Sequence, residues 1–192
     1  MSDKVRIQST IILSNDWGKL NKIKYDYQLK DGSWQTQQRE VYNRGNGAAI
    51  LLYNATKQTV ILTQQFRLPT WFNGNTDGLM IEACAGLIDE NDPVETIRRE
   101  TEEETGYTIS EVKKIMEVYM SPGSVTEILH FFVGAYSDDM KTSEGGGLDK
   151  EQENIEVLEL SFNKAMQMIY TGEIKDAKTI MLLQYAKIHN LV

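Results

Sequence analysis

The stretch GLIDENDPVETIRRETEEETGY, from Gly86 to Tyr107, carries eight carboxylates and still reads as a single helix with its turns at either end. Asp92 is placed to cap it, Pro93 suits its first turn, and Glu95 completes an Asp-x-x-Glu capping box. Gly106 supplies the left-handed residue that stops it. The pattern predicts a helix from Pro93 to Thr105. On a wheel of about 100° per residue with Glu100 at the origin, Ile97 falls at about 60°, Thr101 at about 100°, Val94 at about 120° and Thr105 at about 140°. These residues make the buried stripe. Glu104 falls at about 40° and Glu103 at about 300°, so Glu100, Glu103 and Glu104 form one patch bordering that stripe.

A run of charge is ordinarily a solvated face. Glu95, Arg98 and Glu102, opposite the stripe, obey that rule, with Arg98 and Glu102 spaced as an i,i+4 pair. Glu100 and Glu104 do not. Two like charges ~4 Å apart repel by roughly 1 kcal/mol in water and roughly 4 kcal/mol at an effective dielectric of about 20. A half-buried cluster of this kind needs a cation, and Mg2+ with oxygen ligands is the natural one. Arg99, four residues before Glu103, can hold that carboxylate and leave Glu100 and Glu104 for metal. The geometry of the wheel leaves a purely solvated acidic face open as the alternative.

The rest of the composition narrows the class. A chain of 192 residues with 41% hydrophobic and 25% charged side chains has material for one globular domain and a small added subdomain. A net charge of -8 argues against a general nucleic-acid binder, so an anionic ligand must be met by local cations or by metal. Apolar runs such as AAILLY are too short to span a bilayer, and the opening MSDKVRIQST lacks an apolar signal region. Cys84 is the only cysteine, which rules out an intrachain disulfide and a thiolate metal cluster and reads as a buried small apolar residue. No membrane partner is expected, and a cytoplasmic setting is.

Strands are expected in VRIQSTIIL, in KIKYDYQL and SWQTQQREVY around a Lys-Asp-Gly turn, and in AAILLY and TVILTQQFR across NATKQ. A loop, TWFNGNTDG, leads to one short strand, LMIEAC; EVKKIMEVYM, EILHFFVGAY and IEVLEL are further strands. Two terminal helices, SFNKAMQMIYTG and DAKTIMLLQYAKIHNL, each open on a capping Ser or Asp. Their Met and Leu stripes read as core. Many strands with one central and two terminal helices point to an α+β fold. Residues 1–45 read as an N-terminal sheet subdomain and 46–192 as the main domain.

The residues now become recognisable. Arg99, Glu100, Glu103, Glu104, Gly106 and Tyr107, with Gly86 opening the segment, match the core Arg-Glu-x-x-Glu-Glu-x-Gly-apolar, and the segment closely resembles the Nudix box. The spacing from Gly86 to Arg99 is one residue shorter than in the commonest box. Its early acidic position falls on Asp92 or is displaced to Asn91, and Thr101 stands where a small or aliphatic residue is usual. QQFR at 64–67, EACAGLID at 82–89, MSPGSVTE at 120–127 and the triple-glycine loop resemble the nucleoside-diphosphate-sugar branch of that family, most of all its bacterial GDP-mannose pyrophosphatases. The resemblance implies a Nudix-type mixed β-sheet sandwiched between helices, with an N-terminal antiparallel sheet used for homodimerisation.

It also implies a reaction: Mg2+-dependent hydrolysis of the diphosphate of GDP-mannose to GMP and mannose 1-phosphate. The alternatives are ADP-ribose or another nucleotide sugar as substrate, or a non-catalytic module that binds a nucleotide sugar. A Ca2+ sensor is disfavoured because no Asp-x-Asp-x-Asp-Gly loop is present. By the resemblance, the carbonyl of Ala85, Glu100, Glu104 and a loop carboxylate hold the metal, with Glu103 behind them or on a second ion. The loop carboxylate is Glu151 or Glu153, and the spacing of Glu153 to IEVLEL fits better; it is also the candidate general base. Glycine freedom would let this loop close on substrate, against the plain alternative of an acidic surface segment. The implied substrate contacts are Trp17, Gln38, Arg39, Glu40, Arg67, Ala85, Gly86, Leu87, Glu104, Glu127, Gln152, Glu153 and Lys178. Trp17 would stack on a base, Arg67 and Lys178 would meet phosphates, and Arg39 with its neighbours Gln38 and Glu40 would reach across the dimer. Each cation is otherwise an ordinary surface charge, Trp17 a partly buried anchor and Glu127 a surface residue at a strand start. His130 and His189 read as structural.

Overall fold

The structure, a computed structural model, describes residues 3–88, 92–148, 150 and 153–192. Its N-terminal sheet is antiparallel and runs in the order β1 (Val5–Asn15), β2 (Lys19–Gln28), β3 (Trp34–Asn43). The Lys-Asp-Gly turn closes β2 on β3: Leu29 N–H donates to the Ser33 carbonyl at 2.8 Å, and Asp31 Oδ1 accepts the Ser33 amide at 2.9 Å. Residues up to Asn46 and the segment Tyr119–Ile128 form one compact unit, because Tyr42 exchanges backbone hydrogen bonds with Ser124 and Thr126 at 2.8 and 3.0 Å. This unit is therefore built from two separate stretches of chain. β1 is exposed along its whole length.

The other unit comprises Gly47–Val118 and Leu129–Val192. Its central strand, β4 (Gly47–Asn54), is buried except at Tyr53, as expected for a continuous apolar run covered on both faces. β4 lies parallel to β9 (Ile128–Ala135) and antiparallel to β5 (Thr59–Phe66), and β10 (Glu156–Ser161) and β8 (Lys113–Tyr119) form the outer strands of a mixed sheet. Ala48, Ile50 and Leu52 pack with Ile61, Cys84, Ile97, Tyr107 and Phe132 in one core beneath α2 (Pro93–Thr105). By the pleat, Ala49 and Leu51 face the opposite side. They are fully buried, as are Leu182, Leu183 and Ala186 of α4 (Ala177–Ile188), which lies against β4. α3 (Phe162–Thr171) and α4 begin where Ser161 and Asp176 accept amide hydrogen bonds from Lys164 and Thr179. The architecture is α+β, with the mixed sheet between helices.

Two expectations of local structure change. LMIEAC is two strands, β6 (Leu79–Glu82) paired with β5 and β7 (Cys84–Leu87) paired with β4. The break falls at Ala83, whose amide donates to Thr179 Oγ1 of α4 at 2.6 Å instead of joining a ladder. In the expected loop after β5, Leu68–Phe72 form a one-turn helix, α1, too short to show a period in sequence.

The triple glycine has a structural task. Amides of Gly146 and Gly147 donate to the carbonyls of Glu104 and Glu103 at 2.9 and 3.0 Å, filling acceptors that the end of α2 would leave orphaned. Gly145 makes that contact close: its φ is 69°, and a Cβ there would lie 2.5 Å from the Glu104 carbonyl oxygen. Gly145→Ala should therefore lower the urea midpoint, by about 1–3 kcal/mol of stability. An unchanged midpoint would show that the loop does not rest on the helix.

Candidate active site

α2 and β7 bring the acidic residues together. Asp92 Oδ1 accepts the Val94 and Glu95 amides, and Gly106, at φ 77°, ends the helix. In register with β4, Ala85 faces Ala49 and Gly86 faces Ala48, so small residues line the strand pair that α2 crosses. Gly86 has no side chain for a steric reason: a Cβ would meet Glu100 Cδ at 2.1 Å. Glu104 lies inside the buried stripe and not at its border, with 2% exposure, and Thr96 is buried as well. The Ala85 amide donates to Glu104 Oε2 at 3.3 Å.

Burial pushes the Glu104 carboxyl up to about 8; hydrogen bonds from the Cys84 thiol and Ala85 amide oppose the rise, and the charges of Glu100 and Glu153 add to it. Glu100 is also raised, first by burial, with Arg99 opposing and Glu103 and Glu153 adding. The Cys84 thiol is pushed well up by burial and by Glu104. Cys84 is thus the buried small residue expected.

Arg99 does more than hold Glu103. Its Nη1 donates to Glu103 Oε2 at 2.7 Å and its Nη2 to Glu100 Oε1 at 2.8 Å, because a guanidinium fork reaches both neighbours at once. Only Glu104 of the three box carboxylates lacks this cation. Arg98 donates to the Ser110 carbonyl and not to Glu102. Glu153 Oε2 accepts the Leu148 amide at 3.1 Å.

The donor set fits a hard divalent ion: Glu100, Glu104 and Glu153 offer oxygen ligands, and the charge of Glu153 raises the proton affinity of both Glu100 and Glu104. Among the described residues no group of three or more such side chains is arranged to hold an ion as it stands.

Arg67, just after β5, and Lys178, in the first turn of α4, meet on one carboxylate that sequence reasoning missed. Glu82 of β6 accepts Arg67 Nε at 2.6 Å and Lys178 Nζ at 2.5 Å; Lys178 also pairs with Asp176 at 2.9 Å. The available signal was a lone charge inside the apolar LMIEAC. Leu87 lies at the exposed end of β7.

The remaining candidates belong to the N-terminal unit. Gln38, Arg39 and Glu40 are exposed on β3, and Trp17 is 68% exposed in the turn after β1. Glu127 is buried and accepts Arg44 Nη2 at 2.6 Å; the same guanidinium stands 5.8 Å from the Trp17 ring. Arg44, another residue the sequence did not flag, therefore joins two that it did. Glu151 and Gln152 lie outside the described residues, as does Asn91. His130 is mostly buried in β9, with its proton affinity lowered by burial.

A helix carrying Arg99, Glu100, Glu103 and Glu104 across a strand ending in Ala85-Gly86 is the defining element of one class, and this chain belongs to the Nudix family, whose NUDIX domain model matches residues 43–183. Residues 4–42 match the GDP-mannose pyrophosphatase NudK N-terminal domain. At the level of individual proteins, the chain is 52% identical over 192 residues to GDP-mannose pyrophosphatases of Shigella dysenteriae serotype 1 (strain Sd197) and Escherichia coli O157:H7, covering 100% of each chain. The fold is also that of a crystal structure of an ADP compounds hydrolase, with TM-score 0.71, 17% identity, and coverage of 99% of this chain and 98% of that one.

The raised carboxyl of Glu104 sets a pH dependence. Between its ordinary value of 4.5 and about 8, the folded protein holds a proton that the unfolded chain has released, so stability falls as pH rises through that window. In chelator, thermal melts of the wild type should lose on the order of a few kcal/mol relative to Glu104→Gln between about pH 5 and pH 8. Parallel melting curves would place Glu104 in water.

Proposed function

We propose that this chain hydrolyses the diphosphate of GDP-mannose, giving GMP and mannose 1-phosphate, with Mg2+ as cofactor. The observation that carries the reading is full-length identity of 52% to proteins named for that reaction. The site's chemistry supports it. Glu100, Glu104, Glu153 and the Ala85 carbonyl would hold the ion, which when bound supplies charge neutralisation on phosphate and acidifies water. Arg99 holds Glu100 and Glu103 in fixed rotamers through its fork. Glu153, on the loop docked against α2, is the group we assign to take the proton from the attacking water. Arg67 and Lys178 would meet the phosphates, Trp17 would stack on the base, and Glu127, fixed by Arg44, would meet the sugar. Gly86 and Leu87, beside Ala85 on β7, would offer backbone groups to the substrate, and Gln152 with Glu151 completes the loop set.

We assign a homodimer in the cytoplasm. Val5, Ile7, Ile11, Ile12 and Leu13 of β1 are exposed, which is the kind of apolar edge a second copy covers, and Gln38, Arg39 and Glu40 would then serve the partner's site. The division into residues 1–45 for dimerisation and 46–192 for catalysis belongs to the same reading. The single buried Cys84 suits a reducing compartment.

Incubation with Mg2+ and an equimolar mixture of GDP-mannose, ADP-ribose and other nucleotide sugars should release GMP first. Glu104→Gln should slow that release at least ~100-fold with the fold retained. Another nucleotide leading would change the substrate, and tight binding without any product would mark a binding module. Sedimentation should give twice the mass of one chain, and Ile11→Glu with Leu13→Glu should give monomers; a wild-type monomer would remove Arg39 from the site.

A further inference from the structure

Glu82 is a buried carboxylate with no part in the acidic cluster. It is 5% exposed, and its two oxygens are divided between two cations, Arg67 Nε at 2.6 Å and Lys178 Nζ at 2.5 Å. Each cation comes from a different element. Arg67 follows β5 and remains 41% exposed, whereas the Lys178 side chain, at 13%, is largely covered. A lysine in the first turn of a helix faces the positive end of the macrodipole and is disfavoured there without a countercharge. Glu82 and Asp176 supply it. The strand that carries Glu82 is itself fixed, by Thr63 Oγ1 donating to the Glu82 carbonyl at 3.2 Å and by the Ala83 amide donating to Thr179 Oγ1 at 2.6 Å.

The four charges of Arg67, Lys178, Glu82 and Asp176 sum to zero, so the arrangement does not create a strongly positive patch. What it creates is orientation. With Nε engaged by Glu82, the guanidinium is held by its inner edge and keeps its outer nitrogens for a ligand. Ala85, which carries the proposed metal carbonyl, is three residues further on, about 10 Å at ~3.3 Å per residue. As the upper limit for an extended chain, that separation is compatible with a pair of cations meeting one end of a diphosphate whose other end meets the carboxylates.

We propose that Glu82 is a positioning residue for substrate: it preorganises Arg67 and Lys178 to receive the anionic diphosphate. The inference rests on the reading of Arg67 and Lys178 as phosphate-binding residues. Its effect belongs in substrate affinity. Loosening Arg67 restores the freedom that binding must remove, while the carboxylates around Glu104 are untouched.

The test compares the full-length wild type with Glu82→Gln, Glu82→Asp, Arg67→Ala and the Glu82→Gln/Arg67→Ala double variant. Calorimetry with inorganic pyrophosphate in Mg2+ reads affinity without requiring turnover, and steady-state kinetics with GDP-mannose separates KM from kcat. Glu82→Gln should weaken pyrophosphate about tenfold and raise KM by a similar factor, with kcat changed less than about threefold. Arg67→Ala should cost about the same, and the double variant little more than either single, because the two act as one unit. Glu82→Asp should recover part of the loss, and this holds the test if Glu82→Gln fails to fold. Unchanged pyrophosphate affinity in Glu82→Gln, or losses that add in the double variant, would overturn the proposal. A loss confined to kcat would overturn it as well. If the wild type turns over no nucleotide sugar while the pyrophosphate pattern holds, the reaction assigned above fails and the positioning role stands.

Discussion

The contact on which the site depends is the one between a buried carboxylate and a strand. Glu104 sits at 2% exposure with the Ala85 amide 3.3 Å from Oε2 and the Cys84 thiol bonded to it. Burying that group requires α2 to lie close on β7, and the register pair Ala48 and Gly86, small on the face that α2 covers, permits it. Ile97, Thr101 and Thr105 supply the buried surface that holds the helix there, and Gly86 leaves the space that Glu100 occupies. The apolar stripe and the acidic patch are therefore one surface, in which packing energy offsets the cost of desolvating carboxylates.

Local features were legible in the sequence to a degree that longer-range ones were not. The helix Pro93–Thr105 has the expected bounds and both expected caps, because capping depends on residues within a turn of the helix end. The caps of α3 and α4 and the turn between β2 and β3 were legible for the same reason. The depth of Glu104 was not. A helical wheel gives angle but no knowledge of the neighbour, and only the small residues of β7 turn a border position into a buried one. The Ala83 break was likewise hidden, since its cause, Thr179 Oγ1, is 96 residues away.

The glycines show how one residue type can carry opposite readings. In sequence, Gly145, Gly146 and Gly147 suggest a hinge. In the structure they adopt positive φ and give two amides to the last carbonyls of α2, which carries Glu103 and Glu104. The loop rests on the same helix that carries those carboxylates, and its backbone contacts bring Glu153 close enough for its charge to be felt by Glu100 and Glu104.

These relations explain how a chain of net charge -8 can present an ordered site to an anion. Charge alone would repel such a ligand, so what matters is where each cation is fixed. β6 and β7 form one short stretch interrupted at Ala83: upstream, Glu82 gathers Arg67 and Lys178, and downstream, Ala85 and Gly86 receive Glu104 and Glu100. The interruption is held by Thr179, next to Lys178 on α4 and bonded to the capping Asp176. A shift of α4 would therefore move Lys178 and the β6–β7 junction together, keeping cations and carboxylates in register where independent loops would let them drift. The strand switch, which no local pattern in LMIEAC announces, joins the acidic cluster to the carboxylate that gathers Arg67 and Lys178.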